Sequence, residues 1–350
     1  MFRLLQCART CTTTAIVPPS LYLSSPIRFR FKFNRRYNSS QMGFLSVNSD
    51  HSIKANPRFC NLSGHMTELL EIHSPNPTLH VLFIPGNPGI INFYKDFVES
   101  LYELLQGNAS VTAIGHISQT TKDWEHGRLF TLQEQINHKV DFITHELQNS
   151  NIPVILVGHS VGSYISIEVF KRASHKVVYF VGLYPFLTLN AESSKQTAIK
   201  KLTASPRLRL IFSLFVALMG LIPGWSRFIV KKTIGSSWSD TAIDAGCSHL
   251  LKYHTIRNVL FMAMTEFQKF SEEPDWKFLR GNQDQIAFLF GIDDHWGPLS
   301  LFEEISKNAP NVSLSIEKEG HDHAFSCTVA GSRWVAQHVA TLIQKRLSTL

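Results

Sequence analysis

VILVGHSVGSYIS, residues Val154–Ser166, is the stretch whose reading decides the fold. Val154–Val157 form a β-branched apolar run, the pattern of a buried strand. A helical pattern begins straight after Gly162. Between the two stands G-H-S-V-G. Five residues can fall into that order by chance, but the strand–turn–helix setting is the one a nucleophile elbow requires. The turn must be sharp, so Gly158 and Gly162 give the backbone room to close. Ser160 then projects from the carboxyl edge of the sheet beside a helix N-terminus, whose dipole favours negative charge. The competing reading is a glycine-rich turn with an incidental serine, and the context weighs against it.

A serine nucleophile needs a base, and the base needs an orienting acid. On this type of fold the acid comes next along the chain and the histidine last. IAFLFGIDDHWGP (Ile286–Pro298) offers the acid in a turn after a strand. Asp294 is preferred, because G-x-x-D leaves its carboxylate on the loop facing the serine; Asp293 stays open. IEKEGHDHAFS (Ile316–Ser326) offers the histidine, again after a strand. His323 is preferred over His321, because Ala324 and Phe325 can pin its loop to the core. The His-Asp-His run has no third ligand at helical spacing, so no metal is expected, and no cofactor is implied. An oxyanion needs two N–H donors. Val161 follows the nucleophile, and Asn87 in IPGNPG (Ile84–Gly89) follows an early strand.

Outward from these motifs, apolar runs alternate with amphipathic ones. HVLFIPG, SVTAIGH, KVVYFVGLYP and VSLSIEKE read as strands. Asn92–Leu105 places Phe93, Phe97, Leu101 and Leu104 on one helical face, and Thr131–Leu147 does the same with Leu132, Ile136, Val140 and Ile143. The alternation predicts an α/β fold with a mostly parallel central sheet and helices on both faces. It lapses between about 190 and 278, a helical interval read as a lid or membrane-contact insertion into a domain spanning 51–350.

Of the 350 residues, 44% are hydrophobic, enough for a sizeable core. The net charge of +7 is confined to the N-terminus: residues 1–49 hold seven basic residues and no acid, leaving 27 basic residues against 27 acids elsewhere. A neutral body argues against a nucleic-acid partner. Residues 1–50 have the composition of a transit peptide and equally of a basic disordered tail. Five widely spaced cysteines suggest neither a disulfide framework nor a zinc site.

LIFSLFVALMGLIPGW, Leu210–Trp225, carries no charge, and basic residues crowd both its ends. Its 16 residues fall short of the ~20 that a spanning helix needs. Such a segment suits an interfacial position or a dip into one leaflet, with Phe212, Phe215, Leu218, Leu221 and Trp225 as lipid contacts. The bland alternative is a lid helix packed over an acyl pocket.

Leu82–Phe97, Phe130–Ile143, Leu156–Ser166, Gly291–Pro298 and His321–Ser326 together resemble the lipid droplet-associated hydrolase family of α/β-hydrolases, over roughly Thr67 to Leu347. The P-G-N-P-G segment with its following Phe-Tyr is the most specific part. The resemblance implies Ser160 as nucleophile, Asp294 as acid and His323 as base. It also implies residence on lipid droplets or the cytosolic face of the endoplasmic reticulum. A mitochondrion or plastid is the alternative if the basic N-terminus sets the address. The expected reaction is hydrolysis of a lipid carboxylic ester, a neutral lipid or sterol ester. An acyltransferase would use the same residues. A droplet-tethering protein with weak chemistry is the rival from another class, and nothing in tethering requires all three residues.

Overall fold

Among the described residues, eight strands make one sheet in the order β1-β2-β4-β3-β5-β6-β7-β8. They are β1 (Asn56–Leu62), β2 (His65–Ile72), β3 (Leu79–Ile84), β4 (Ala109–Ile114), β5 (Val154–His159), β6 (Val177–Leu183), β7 (Ile286–Gly291) and β8 (Ser313–Glu317). The computed structural model describes residues 54–148, 151–221, 223–233 and 237–348. The basic segment 1–50 lies outside the described residues. From β4 to β8 neighbouring strands run parallel; β2 pairs antiparallel with both β1 and β4.

The parallel strands read as unbroken apolar runs because both faces of the sheet are covered. In β3, Val81 and Phe83 join one core with Phe97 and Leu101 of α1 (Lys95–Leu104) and Val335 and Val339 of α11 (Val329–Leu347). Leu82 and Ile84 point the other way. They pack with Ile136 of α2 (Leu132–His145), Ile165 of α3 (Val161–Arg172) and Ile305 of α10 (Leu299–Asn308). Thr131 and Glu134 close a capping box at the start of α2, satisfying two otherwise orphaned N–H groups.

Between β6 and β7 lie α4 (Ser194–Ala204), α5 (Pro206–Gly220), α6 (Pro223–Thr233), α7 (Asp240–Ala245), α8 (Tyr253–Lys269) and α9 (Trp276–Gly281). A π-turn at Gly246–Leu250 joins α7 towards α8. These helices are of two kinds. α8 is bonded into the body: Asn258 Nδ2 donates to Ser118 Oγ and the Arg128 carbonyl, both at 3.0 Å, and Thr265 Oγ1 accepts from the Leu132 N–H at 3.0 Å. α5 packs by one face only. Phe212 and Val216 are buried with Val230, Ile243 and Leu260. Its other face is open, and eight of the twelve large exposed apolar side chains among the described residues fall between Leu208 and Phe228.

The expected lipid contact at Phe212 is therefore corrected: at 8% exposure its ring is a core residue. Phe212 and Val216 are one helical turn apart, so burying one buries the other. Phe215, Leu218 and Leu221 are exposed, and the Trp225 side chain lies outside those described. No single helix among the described residues is long and apolar enough to cross a membrane. α4 and α5 would pass together but are bent by 100°.

Candidate active site

Ser160 sits between β5 and α3 with φ 55° and ψ −125°, a conformation L-residues rarely adopt. Three backbone bonds hold it there. Its N–H donates to the Leu183 carbonyl at 2.9 Å, and its carbonyl accepts from Ser163 (3.0 Å) and Phe186 (3.2 Å). The two glycines of the motif are there for space. A Cβ on Gly162 would stand 2.3 Å from the Ile84 carbonyl oxygen, and one on Gly158 would stand 2.3 Å from the Gly162 oxygen. α3 thus starts hard against the end of β3, and Val161, as its first residue, has no intrahelical acceptor for its N–H.

His323 follows β8 and Asp294 follows β7, on neighbouring strands. His323 Nδ1 lies 2.9 Å from Asp294 Oδ2. A carboxylate accepts, so Nδ1 carries the hydrogen, and in the neutral imidazole Nε2 keeps the lone pair. The other carboxylate oxygen, Oδ1, accepts the Trp296 N–H at 2.9 Å. Asp294 is buried and Asp293 exposed. Phe325 is buried between Tyr184, Tyr94 and Phe97 and anchors the histidine loop. His321 faces Trp334 instead, with ring centroids 5.8 Å apart.

Ser160, His323, Asn87 and Gly86 line one cavity of about 200 Å³. Its remaining wall is largely apolar, including Phe93, Phe186, Trp238, Leu250, Leu260, Phe267 and Trp296. The cavity therefore suits a hydrocarbon group next to a polar reacting centre. The Asn87–Pro88 peptide is cis. The Gly86 N–H donates to Tyr94 Oη (3.2 Å), which leaves Asn87 as the next backbone donor along the loop. Tyr94 Oη in turn lies 2.7 Å from His159 Nδ1. Burial, reinforced by the adjacent His323, holds His159 well below the ordinary histidine range, so it is a neutral support for the elbow. Among the described residues no cluster of histidine, cysteine and acids could hold a metal.

Three of these residues escape a reading of motifs. Tyr94 and His159 lie inside the quoted motifs but carry no chemical signature of their own. Glu266 lines the same cavity from α8, buried and held by Asn87. One signal for it exists: Val259, Met262, Ala263, Glu266, Phe267 and Phe270 follow helical spacing, which places an acid on an apolar face.

Residues 77–326 match the model of the lipid-droplet associated hydrolase family. The chain is 28% identical over 277 residues to a lipid droplet-associated hydrolase of Gallus gallus, covering 75% of this chain and 84% of that one. A lipid droplet-associated hydrolase of Dictyostelium discoideum is 28% identical over 291 residues, covering 80% and 90%. Among solved structures, a haloalkane dehalogenase from Bradyrhizobium elkani superposes with a TM-score of 0.62 at 12% identity, covering 85% of this chain and all of its own. That likeness establishes the α/β-hydrolase fold and nothing about the reaction.

Proposed function

The chain belongs to the lipid-droplet associated hydrolase family, and from that premise we propose that it hydrolyses carboxylic esters of lipids at a lipid surface, with Ser160, His323 and Asp294 as its catalytic residues. The observation that carries this reading is the 2.9 Å bond from His323 Nδ1 to a buried Asp294, with His323 and the elbow serine on one apolar cavity.

Ser160 Oγ attacks the ester carbonyl carbon as His323 Nε2 takes its proton. Asp294 holds the imidazole tautomer and stabilises the imidazolium. The carbonyl oxygen becomes an oxyanion, which the N–H groups of Asn87 and Val161 stabilise. The C–O bond to the alcohol breaks, and His323 returns the proton to the leaving alkoxide. Water then attacks the acyl-serine by the same route, releasing the acid and restoring Ser160.

The lipid surface is met by the open face of α5 with Leu221 and Phe228, and the insertion acts as a lid over the cavity. Lys200, Lys201, Arg207, Lys231 and Lys232 flank that face, all exposed, where they would meet anionic head groups. Arg227 instead pairs with Asp240 and Asp244. The family's name and this surface together support residence on lipid droplets.

The test is labelling of purified protein with a fluorophosphonate, with the adduct mapped by mass spectrometry. Adduct on Ser160, lost together with hydrolysis of emulsified lipid esters, is expected. Folded protein that neither labels nor hydrolyses any ester would refute an esterase.

A further inference from the structure

The loop Pro85–Gly89 belongs to neither strand nor helix, yet the oxyanion chemistry demands that its N–H groups be fixed before the reaction. It is held at each end by the body of the domain. The Gly86 N–H donates to Tyr94 Oη at 3.2 Å, and the Gly89 N–H donates to Gln119 Oε1 at 2.6 Å. At its centre it is held by the insertion. Asn87 Nδ2 donates to the Val259 carbonyl at 2.9 Å and to Glu266 Oε1 at 2.8 Å, both on α8. A backbone carbonyl can only accept, so Val259 fixes which way the amide faces. The second amide hydrogen is thereby aimed at Glu266.

α8 can bear this load because it is itself anchored. Besides Asn258 and Thr265, His254 Nε2 lies 2.9 Å from the Thr120 carbonyl. The helix is a strut between the loop before α2 and the loop after β3. Glu266 is 4% exposed among apolar neighbours, and burial pushes its carboxyl up to about 8. An apolar side chain would pack there without that penalty. An expensive polar group at a site wall is the kind of local conflict that function explains.

We propose that Glu266 is a positioning residue: through the Asn87 side chain it fixes the oxyanion-binding loop, making α8 a working part of the active site. This inference rests on the assignment of the Asn87 N–H to the oxyanion. Glu266→Met keeps the length and removes the acceptor. Glu266→Gln keeps an acceptor and no charge. Asn87→Ala cuts the same bond from its other end while leaving the backbone N–H in place.

The measurement is kcat and KM on a short-chain p-nitrophenyl ester, with full-length protein checked by circular dichroism. Complete loss of an oxyanion donor costs about 100- to 1,000-fold in kcat. A displaced donor should therefore cost about 10- to 100-fold. Glu266→Met and Asn87→Ala are each expected to lower kcat by that factor with little change in KM. Their combination should lower it no further, and Glu266→Gln should restore most of it. A rise in KM at constant kcat would overturn the proposal and make Glu266 a substrate-binding group. Unchanged kinetics in Glu266→Met would also overturn it. If Glu266→Met does not fold, Asn87→Ala decides alone, and an unchanged kcat there refutes the proposal. The underlying reading fails separately, through a Ser160→Ala variant that still turns over.

Discussion

Ser160 shows what a single residue requires of its surroundings. Its left-handed backbone is held by an acceptor at the end of β6 and by donors in the first turn of α3 and just past β6. Replacing the hydroxyl alone leaves those bonds intact. Ser160→Ala is thus expected to keep its melting temperature and lose about 10⁶ in kcat, the loss seen when a triad nucleophile is removed. Activity within tenfold of the parent would sink the assignment. Gly162→Ala should behave in the opposite way. Its Cβ would meet the Ile84 and Pro85 carbonyl oxygens at 2.3 and 2.5 Å, which cannot move without shifting the Pro85–Gly89 loop. Overpacking of this kind costs about 1–3 kcal/mol, so a lowered melting temperature should accompany the lost activity. The neighbouring pairs in the loops after β7 and β8 separate in the same manner. Asp294→Asn disturbs a buried bond to His323 and should cost about 10⁴ in kcat, whereas Asp293→Asn changes an exposed side chain. His323→Ala should be as damaging as Ser160→Ala, and His321→Ala mild. If Asp293 or His321 is the more sensitive of its pair, the loops are assigned one step off. Of the candidate site, the post-strand turns that carry Ser160, Asp294 and His323 could be read from the sequence. The loop geometry that separates Asp294 from Asp293 depends on the Trp296 N–H folding back onto one carboxylate, which no spacing rule encodes.

Strands were legible by the apolar pattern of their own sequences. β3 to β7 are covered on both faces, so their sequences are continuous apolar runs. β1 is an edge strand with the polar, mostly exposed sequence NPRFCNL and escaped the reading for that reason, whereas β2 is largely buried but carries Thr67, Glu68 and Glu71 among its buried residues, which break the apolar run that marks a strand. Their antiparallel pairing depends on a partner strand that periodicity alone does not reveal. α5 was legible as an apolar segment but not as a two-sided one, because its composition hides which residues face the core. That division separates two kinds of mutant. Phe212→Ala removes a buried ring and should destabilise the protein by about 3–5 kcal/mol. Ile211→Asp with Leu218→Asp alters side chains that are 62% and 64% exposed, so the fold should persist. Burying such a side chain in lipid contributes about 1.5–3 kcal/mol gross. Two charges in their place should release the tagged protein from floated droplets. Retention of the folded double mutant on droplets would leave α5 a packed lid. Redistribution on deleting residues 1–49 instead would assign the address to the N-terminus.

At the scale of the whole molecule, buried ionisable groups oppose one another across the pH range. Burial holds His116, His138 and Lys139 well below their ordinary values, so the fold binds each of their protons less tightly than an unfolded chain does. An unfolded chain would take those protons up on acidification, and stability falls as pH falls. Glu266 acts in the other direction. Its carboxyl ionises near 4.5 in an unfolded chain and about 8 in the fold. Below the lower value both states hold the proton and stability is independent of it. Between the two values the unfolded chain has released the proton and the fold has kept it. Stability therefore declines as pH rises through this window, by up to about 1.4 kcal/mol per unit, and levels off above the folded value. Glu266→Gln has no such titration but shares every histidine and Lys139, so the difference between the two proteins isolates this one carboxyl. Their melting temperatures should differ by a constant offset near pH 4.5, with the variant gaining steadily on the parent up to pH 8. Parallel curves across that range would mean that Glu266 is ionised in the fold. The Asn87 bond would then be made to a carboxylate, placing a negative charge beside the proposed oxyanion and slowing the reaction that the loop is built to assist.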